Sequence, residues 1–257
     1  MKNIIVLGSG RSGTSMLTGL FAKSGYFMGG NLYPGRDTNP KGFFESGQIN
    51  SINEDIIREV APKRLRLGPI DPFSNRPNRP GQRWLTQLDL NTKLPDSDQY
   101  SDRITSLVSQ QPFCFKDPRF CYTLPVWKPY LNNTIFLVVF RHPHSTANSM
   151  VKEYKAMPYL RGFKFTKQDA LNVWHLMYSH ILNRHIHDGG NWLFMHYEQI
   201  LSGECYNVIE EFAEVKVDRG FVDQKLNRNV SREKLEVSLK VVYDSLCEKS
   251  KYTELVV

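Results

Sequence analysis

The sequence predicts an α/β protein in three layers, a central parallel sheet flanked by helices. Three observations carry this. Short apolar or β-branched runs at 4–7, 113–116, 134–140 and 192–196 have strand length and are separated by stretches with helical spacing. The first run ends in a glycine-rich loop that leads into a helix. Strand and helix alternate, as parallel crossovers require.

Each element has its own signal. Ile4, Ile5, Val6 and Leu7 form a buried strand that stops at glycine. Met16, Leu17, Leu20 and Phe21 mark one face of the helix that follows, with Gly25 as its expected C-cap. Residues 28–47 read as loop and 48–60 as helix. Residues 61–83 carry five prolines and six cations, an irregular basic lid-like insertion. Residues 84–110 have weak helical periodicity. The second strand, 113–116, is stopped by Asp117-Pro118, with Asp117 as a helix cap. The third, 134–140, is the strongest, and a helix follows with Pro143 in its first turn. The longest helix is expected over 166–187, ended by Gly189-Gly190. A fourth strand, 192–196, and helices at 199–213 and 231–248 complete one domain over 1–257.

Composition narrows the function. At 40% hydrophobic and 12% aromatic, the 257 residues can bury a core, which excludes a disordered chain. Cys114, Cys121, Cys205 and Cys247 form no CxxC pair, against a disulfide scaffold, zinc ribbon or thioredoxin-type site. The longest apolar run, 135–140, is far short of the ~20 residues of a transmembrane segment. With no leader-like start, a cytoplasmic location is expected. A net charge of +7 favours anionic partners.

Gly8 to Ser15 fits G-x-x-x-x-G-[KT]-S in strand-loop-helix context, with Thr14 where a Walker A loop has lysine. Small residues let backbone N–H groups converge on an anion at a helix N-terminus. Gly10, Arg11, Ser12, Gly13, Thr14 and Ser15 are the candidate binding residues, and Arg11 is the loop's cation. No carboxylate ends the strong strand, which runs into Arg141 instead, so the loop reads as a P-loop-like anion site without metal. Arg141 can fork onto a phosphate, and Ser149, along the next helix, can add a hydroxyl.

These residues resemble a family. A strand followed by RSGTS, then Arg-x-Pro-x-x-x-x-x-Ser-Met from Arg141 to Met150, is similar to sulfotransferases that use 3′-phosphoadenosine 5′-phosphosulfate (PAPS). Asn39 to Glu45 resembles a loop of bacterial members, Lys116-Asp117-Pro118 resembles tyrosylprotein sulfotransferases, and His196-Tyr197-Glu198 resembles a late Tyr-Glu element. The likeness spans 1 to about 213. It implies a P-loop NTPase-like sulfotransferase fold, PAPS as donor and 3′-phosphoadenosine 5′-phosphate (PAP) as product. It also implies a first loop for the 5′-phosphosulfate and Arg141 with Ser149 for the 3′-phosphate. Arg228 is a loose match to a late nucleotide-binding cation. Cytosolic members place a histidine two residues after the equivalent of Lys116; here Pro118 stands there, so that base is missing.

Sulfuryl transfer needs cations at the bridging and sulfuryl oxygens, and a base for the acceptor hydroxyl. Arg11 and Lys116 suit the cationic roles; a salt bridge is the other role open to Lys116. Glu45 is the candidate base, by resemblance to tyrosylprotein and heparan-type enzymes; its competing role is at the start of the helix near Ser46. His142, His144, His175, His180, His185 and His187 lack metal spacing, so no metal is expected, and the aromatic residues of 174–197 read as core. The acceptor is open among small molecules, carbohydrate, lipid and peptide, with no nucleic acid expected. The basic segment is a lid or a solvated loop. Two other classes fit the same loop: a nucleotide or small-molecule kinase with a variant P-loop, and a non-catalytic nucleotide-binding protein.

Overall fold

The computed structural model describes residues 1–35, 41–61, 77, 79–223, 231 and 233–253. Four parallel strands, β1 (Asn3–Leu7), β2 (Cys114–Lys116), β3 (Thr134–Phe140) and β4 (Asn191–His196), form a sheet in the order β2-β1-β3-β4. Ile4 pairs with Cys114 on one side and Ile135 on the other, and Val138 pairs with Phe194.

Both faces of the sheet are covered, as parallel strands require. Alternate residues divide between two cores. Ile5, Leu7, Phe115, Phe136, Val138 and Phe140 face α2 (Gly47–Val60), α4 (Phe120–Trp127), α6 (Lys167–Asn183) and α9 (Val237–Ser250). Ile4, Val6, Cys114, Leu137 and Val139 face α1 (Thr14–Gly19), α7 (Tyr197–Ser202) and α8 (Tyr206–Ala213). The remaining helices are α3 (Ser101–Val108) and α5 (Pro143–Ala156), and Pro143 opens α5 as expected. Thr166 and Asp169 form a reciprocal capping box that sets the start of α6.

The structure corrects several boundaries. Helix α1 ends at Gly19 with Leu20 as C-cap, so Gly25, at φ 82°, turns the chain five residues later. The helix expected over 199–213 is two, broken at left-handed Gly203 (φ 82°). The last helix starts at Val237 rather than 231, and α6 gives way to a 3-10 turn at 185–188. Only 101–108 of the 84–110 stretch is α-helix.

Helix α4 was not foreseen. Its residues are apolar on nearly every side and buried, so no amphipathic period marks it. Pro125 inside it cannot donate to the carbonyl of Cys121, four residues back. His185 Nε2 donates to that carbonyl instead, at 2.8 Å. Of the basic segment, residues 62–76 and 78 lie outside the described residues, as do Asn39, Pro40 and Arg228.

Candidate functional site

The carboxyl ends of β1, β2 and β3 open into one cavity of about 580 Å³. Gly10, Arg11, Gly13, Thr14, Ser15, Glu45, Lys116, Arg141 and Ser149 all line it. Neighbouring parallel strands deliver their C-terminal loops to the same edge, which is why segments over 100 residues apart in sequence meet there.

Tyr178 of α6 holds the first loop in place. Its hydroxyl accepts from Ser9 N at 3.2 Å and donates to Val139 O at 2.7 Å, tying the loop to β3. Gly13 is left-handed at φ 102°, and a Cβ there would lie 2.6 Å from the Tyr197 ring, so only glycine fits. A Cβ on Gly10 would lie 2.5 Å from the Trp84 indole. Arg11 adopts φ 72°, a conformation costing a non-glycine residue about 1 kcal/mol. Its Nε donates to Ser149 Oγ at 3.1 Å, and its guanidinium lies 3.7 Å from the Glu153 carboxylate.

Ser12 is turned inward. Its N–H donates to Ser9 O at 3.2 Å, and its hydroxyl lies 2.6 Å from Ser9 Oγ and 3.5 Å from Thr146 Oγ1. Gly13, Thr14 and Ser15 open α1 instead, and their N–H groups have no acceptor within that helix.

Lys116 is 2% exposed. Its ammonium pairs with the Glu45 carboxylate and donates to Phe43 O at 3.1 Å and Ser15 Oγ at 3.3 Å. Ser15 Oγ in turn donates to Phe43 O at 3.2 Å. The helix cap is Ser46, whose Oγ accepts from Gln48 N at 3.2 Å. Glu45 thus leaves capping to its neighbour, and the salt bridge open to Lys116 is with the candidate base itself.

Arg141 stacks over the Tyr197 ring, 4.3 Å from its centroid. Burial and the nearby Arg11 charge lower its pKa, against the opposing pull of Tyr197 and Glu198. An anion set against it would relieve both effects.

Behind Lys116 lies a buried ionic network. Arg119 binds Glu54 at 2.5 Å, Asp117 at 3.1 Å and Asn50 Oδ1 at 2.9 Å, and Arg83 binds Glu54 at 2.5 Å. Asp117 accepts from Arg119 N at 2.8 Å, which turns the chain, yet α4 begins only at Phe120. Its main partner is a guanidinium. Burial raises the Asp117 pKa, Arg119 opposes this, and the neighbouring Glu45 charge adds to it.

Three site residues went unread in the sequence. Trp84 has no local signal. Tyr197, expected in the core, is buried and also lines the cavity. Glu153 follows Ser149 by four residues on α5, a spacing that puts both on one helix face. Among the described residues, no group of three or more His, Cys, Asp or Glu side chains could hold a metal ion. His180 and His185 bond the backbone carbonyls of Leu88 and Cys121.

Comparison with known proteins bears on this geometry. A sequence profile described as Sulfotransferase family matches residues 3–204. Among solved structures, a sulfotransferase domain from the curacin biosynthetic pathway is 14% identical, with a TM-score of 0.54 and 98% of each chain covered. A sulfotransferase domain from the Synechococcus PCC 7002 olefin synthase is 15% identical, with a TM-score of 0.54 and 96% of each chain covered. At these identities the likeness shows a shared fold. No curated protein sequence matches significantly.

Proposed function

The chain belongs to the sulfotransferase family, and on that premise we propose that it moves a sulfuryl group from PAPS to an acceptor hydroxyl, leaving PAP. One observation carries the reading. The Lys116–Glu45 pair and the Arg11–Ser149–Arg141 group line a single cavity, bridged by the glycine loop.

The residue types suit the donor. Arg141, Ser149 and Arg11 supply a fork, a hydroxyl and a second cation for the nucleotide's 3′-phosphate. Thr14 and Ser15 N–H groups, at the positive end of α1, face the 5′-phosphosulfate. The edge of Trp84 beside Gly10 offers an apolar surface for a base. The late cation assigned to Arg228 lies outside the described residues.

Glu45 takes the proton of the acceptor hydroxyl as its oxygen bonds to sulfur. The bond from sulfur to the bridging phosphate oxygen breaks, and its electron pair stays with the 5′-phosphate. Lys116 stabilises the charge that develops on that oxygen, and Arg11 adds to the field. The initial Lys116–Glu45 pair holds the carboxylate and the ammonium side by side in the cavity. A cytoplasmic setting belongs to the same reading, supported by four cysteines as free thiols.

Thermal shift with PAP against ADP and ATP, with and without magnesium, tests this. A ligand at about 100 times its Kd adds about 2.7 kcal/mol of stability. Metal-independent stabilisation by PAP, lost in Arg141→Ala, is expected. A magnesium-dependent response to ATP alone would replace this reading with a kinase.

A further inference from the structure

Glu153 is a buried carboxylate, 3% exposed, on the wall of the cavity that Arg11 and Arg141 also line. Helix α5 puts it there. Thr146, Ser149 and Glu153 are spaced i, i+3 and i+7, so all three lie on one face of the helix. That face meets the glycine loop. Thr146 Oγ1 lies 3.5 Å from Ser12 Oγ, Ser149 Oγ accepts from Arg11 Nε at 3.1 Å, and the Glu153 carboxylate lies 3.7 Å from Arg11 Nη1. Two adjacent turns of α5 thus hold one guanidinium at two of its atoms.

Like charges gather here before any donor arrives. Arg141 stands just before α5, and the nearby Arg11 charge is one of the influences that lower its pKa. Bringing two guanidinium groups to one cavity is electrostatically unfavourable, and a carboxylate at ion-pair distance from one of them offsets this. Once a nucleotide phosphate reaches Arg11, the same carboxylate faces a like charge. Stability alone does not call for the arrangement, because replacing a buried ion pair by apolar residues of similar volume is often neutral.

We propose that Glu153 is a positioning residue that acts through Arg11: its carboxylate holds the guanidinium beside Arg141 in the empty site and competes for it with the phosphate of a bound nucleotide. It thereby weakens the hold on PAP and favours product release. This rests on the sulfotransferase reading above. Glu153→Gln keeps the side-chain volume and removes the charge, while Ser149 still holds Arg11 Nε. The charge change therefore outweighs the lost contact, and the anion binds more tightly.

The test uses the full chain and PAP. Calorimetry gives the PAP Kd of the parent, Glu153→Gln, Arg11→Gln and the double variant, and Tm without ligand is read for each. We expect Glu153→Gln to bind PAP about ten-fold more tightly than the parent. In the Arg11→Gln background the carboxylate no longer has this guanidinium beside it, so the same substitution should tighten binding by about thirty-fold or more. A role in packing alone would weaken PAP binding, or change it by one factor in both backgrounds. Should Glu153→Gln fail to fold, Glu153→Asp, which withdraws the carboxylate by one carbon, should tighten PAP binding by about two-fold or more. Weaker or unchanged binding in the variant that folds, or equal factors in the two backgrounds, would overturn the role of Glu153 and leave the sulfotransferase reading standing. Absence of PAP binding in the parent would overturn that reading and the role of Glu153 with it.

Discussion

Arg11 Nε donates to Ser149 Oγ at 3.1 Å across 138 residues of sequence. The contact joins the glycine loop after β1 to the helix after β3. It holds Arg11 in a left-handed conformation that its side chain would otherwise disfavour.

The first prediction concerns this contact. Ser149→Ala removes a hydroxyl from the proposed 3′-phosphate site and one of the contacts that position Arg11, which keeps its pairing with Glu153. PAP affinity should fall about ten-fold, equivalent to about 1.4 kcal/mol, with little change in Tm without ligand. Titration calorimetry checks this; unchanged affinity would remove Ser149 from the nucleotide site.

The Lys116–Glu45 pair separates binding from chemistry. Glu45→Gln keeps shape and hydrogen bonding while removing the base. It should bind PAP and turn over at no more than a few per cent of the parent rate. Lys116→Met should lose roughly 10²–10³ in kcat, the usual effect of deleting one charge-stabilising group. Substantial turnover in Glu45→Gln would place the base elsewhere.

Gly10 and Trp84 form a steric pair. Gly10→Ala drives a methyl to 2.5 Å from the indole, so it should destabilise the protein by about 1–3 kcal/mol. Trp84→Leu in the same chain should recover part of that loss, a coupling read from a double-mutant cycle in urea. Additive effects would mean that the indole is not what restricts Gly10.

Arg119 compensates two buried carboxylates. Arg119→Met leaves Glu54 paired with Arg83 and removes the guanidinium from beside Asp117. Breaking such a pair typically costs about 3–5 kcal/mol. For a chain of this size Tm should drop by roughly 10 °C. A loss under about 1 kcal/mol would show that water replaces the guanidinium.

His196 makes stability fall in acid. Burial lowers its pKa from 6.5 to about 3, helped by the charge of Arg141 and by His142. Between those values the unfolded chain binds a proton that the folded chain refuses, so stability is full above about pH 6.5 and declines as pH falls. The slope from one such group is at most about 1.4 kcal/mol per pH unit. His196→Asn keeps an acceptor for Glu198 N, which His196 Nδ1 caps at 3.3 Å, while removing the titration. Urea midpoints at pH 7.5 and 5 should differ less in this variant than in the parent; an equal difference would assign the acid sensitivity elsewhere.

The strands were readable because each is a short run of apolar or β-branched residues cut off by glycine, proline or a charge. The loop from Gly8 to Ser15 was readable because its chemistry is local. Tertiary partners were not. Trp84 meets Gly10 only when the chain folds back, and the Glu54–Arg83–Arg119 network spans 65 residues. Helix α4 escaped because burial on all sides erases the periodicity by which helices are recognised. Glu153 was within reach of the sequence, four residues beyond Ser149, but a carboxylate is an unexpected neighbour for an anion site.

The sheet order has a consequence for synthesis. β1 lies between β2 and β3, so it is synthesised before both of its partners and pairs with residues no earlier than Cys114 and as late as Val138. At about 5–20 residues per second, that delay is on the order of ten seconds. For that interval four consecutive apolar residues, Ile4 to Leu7, lack the strand partners of the folded sheet, which makes this nascent segment a natural client for a chaperone.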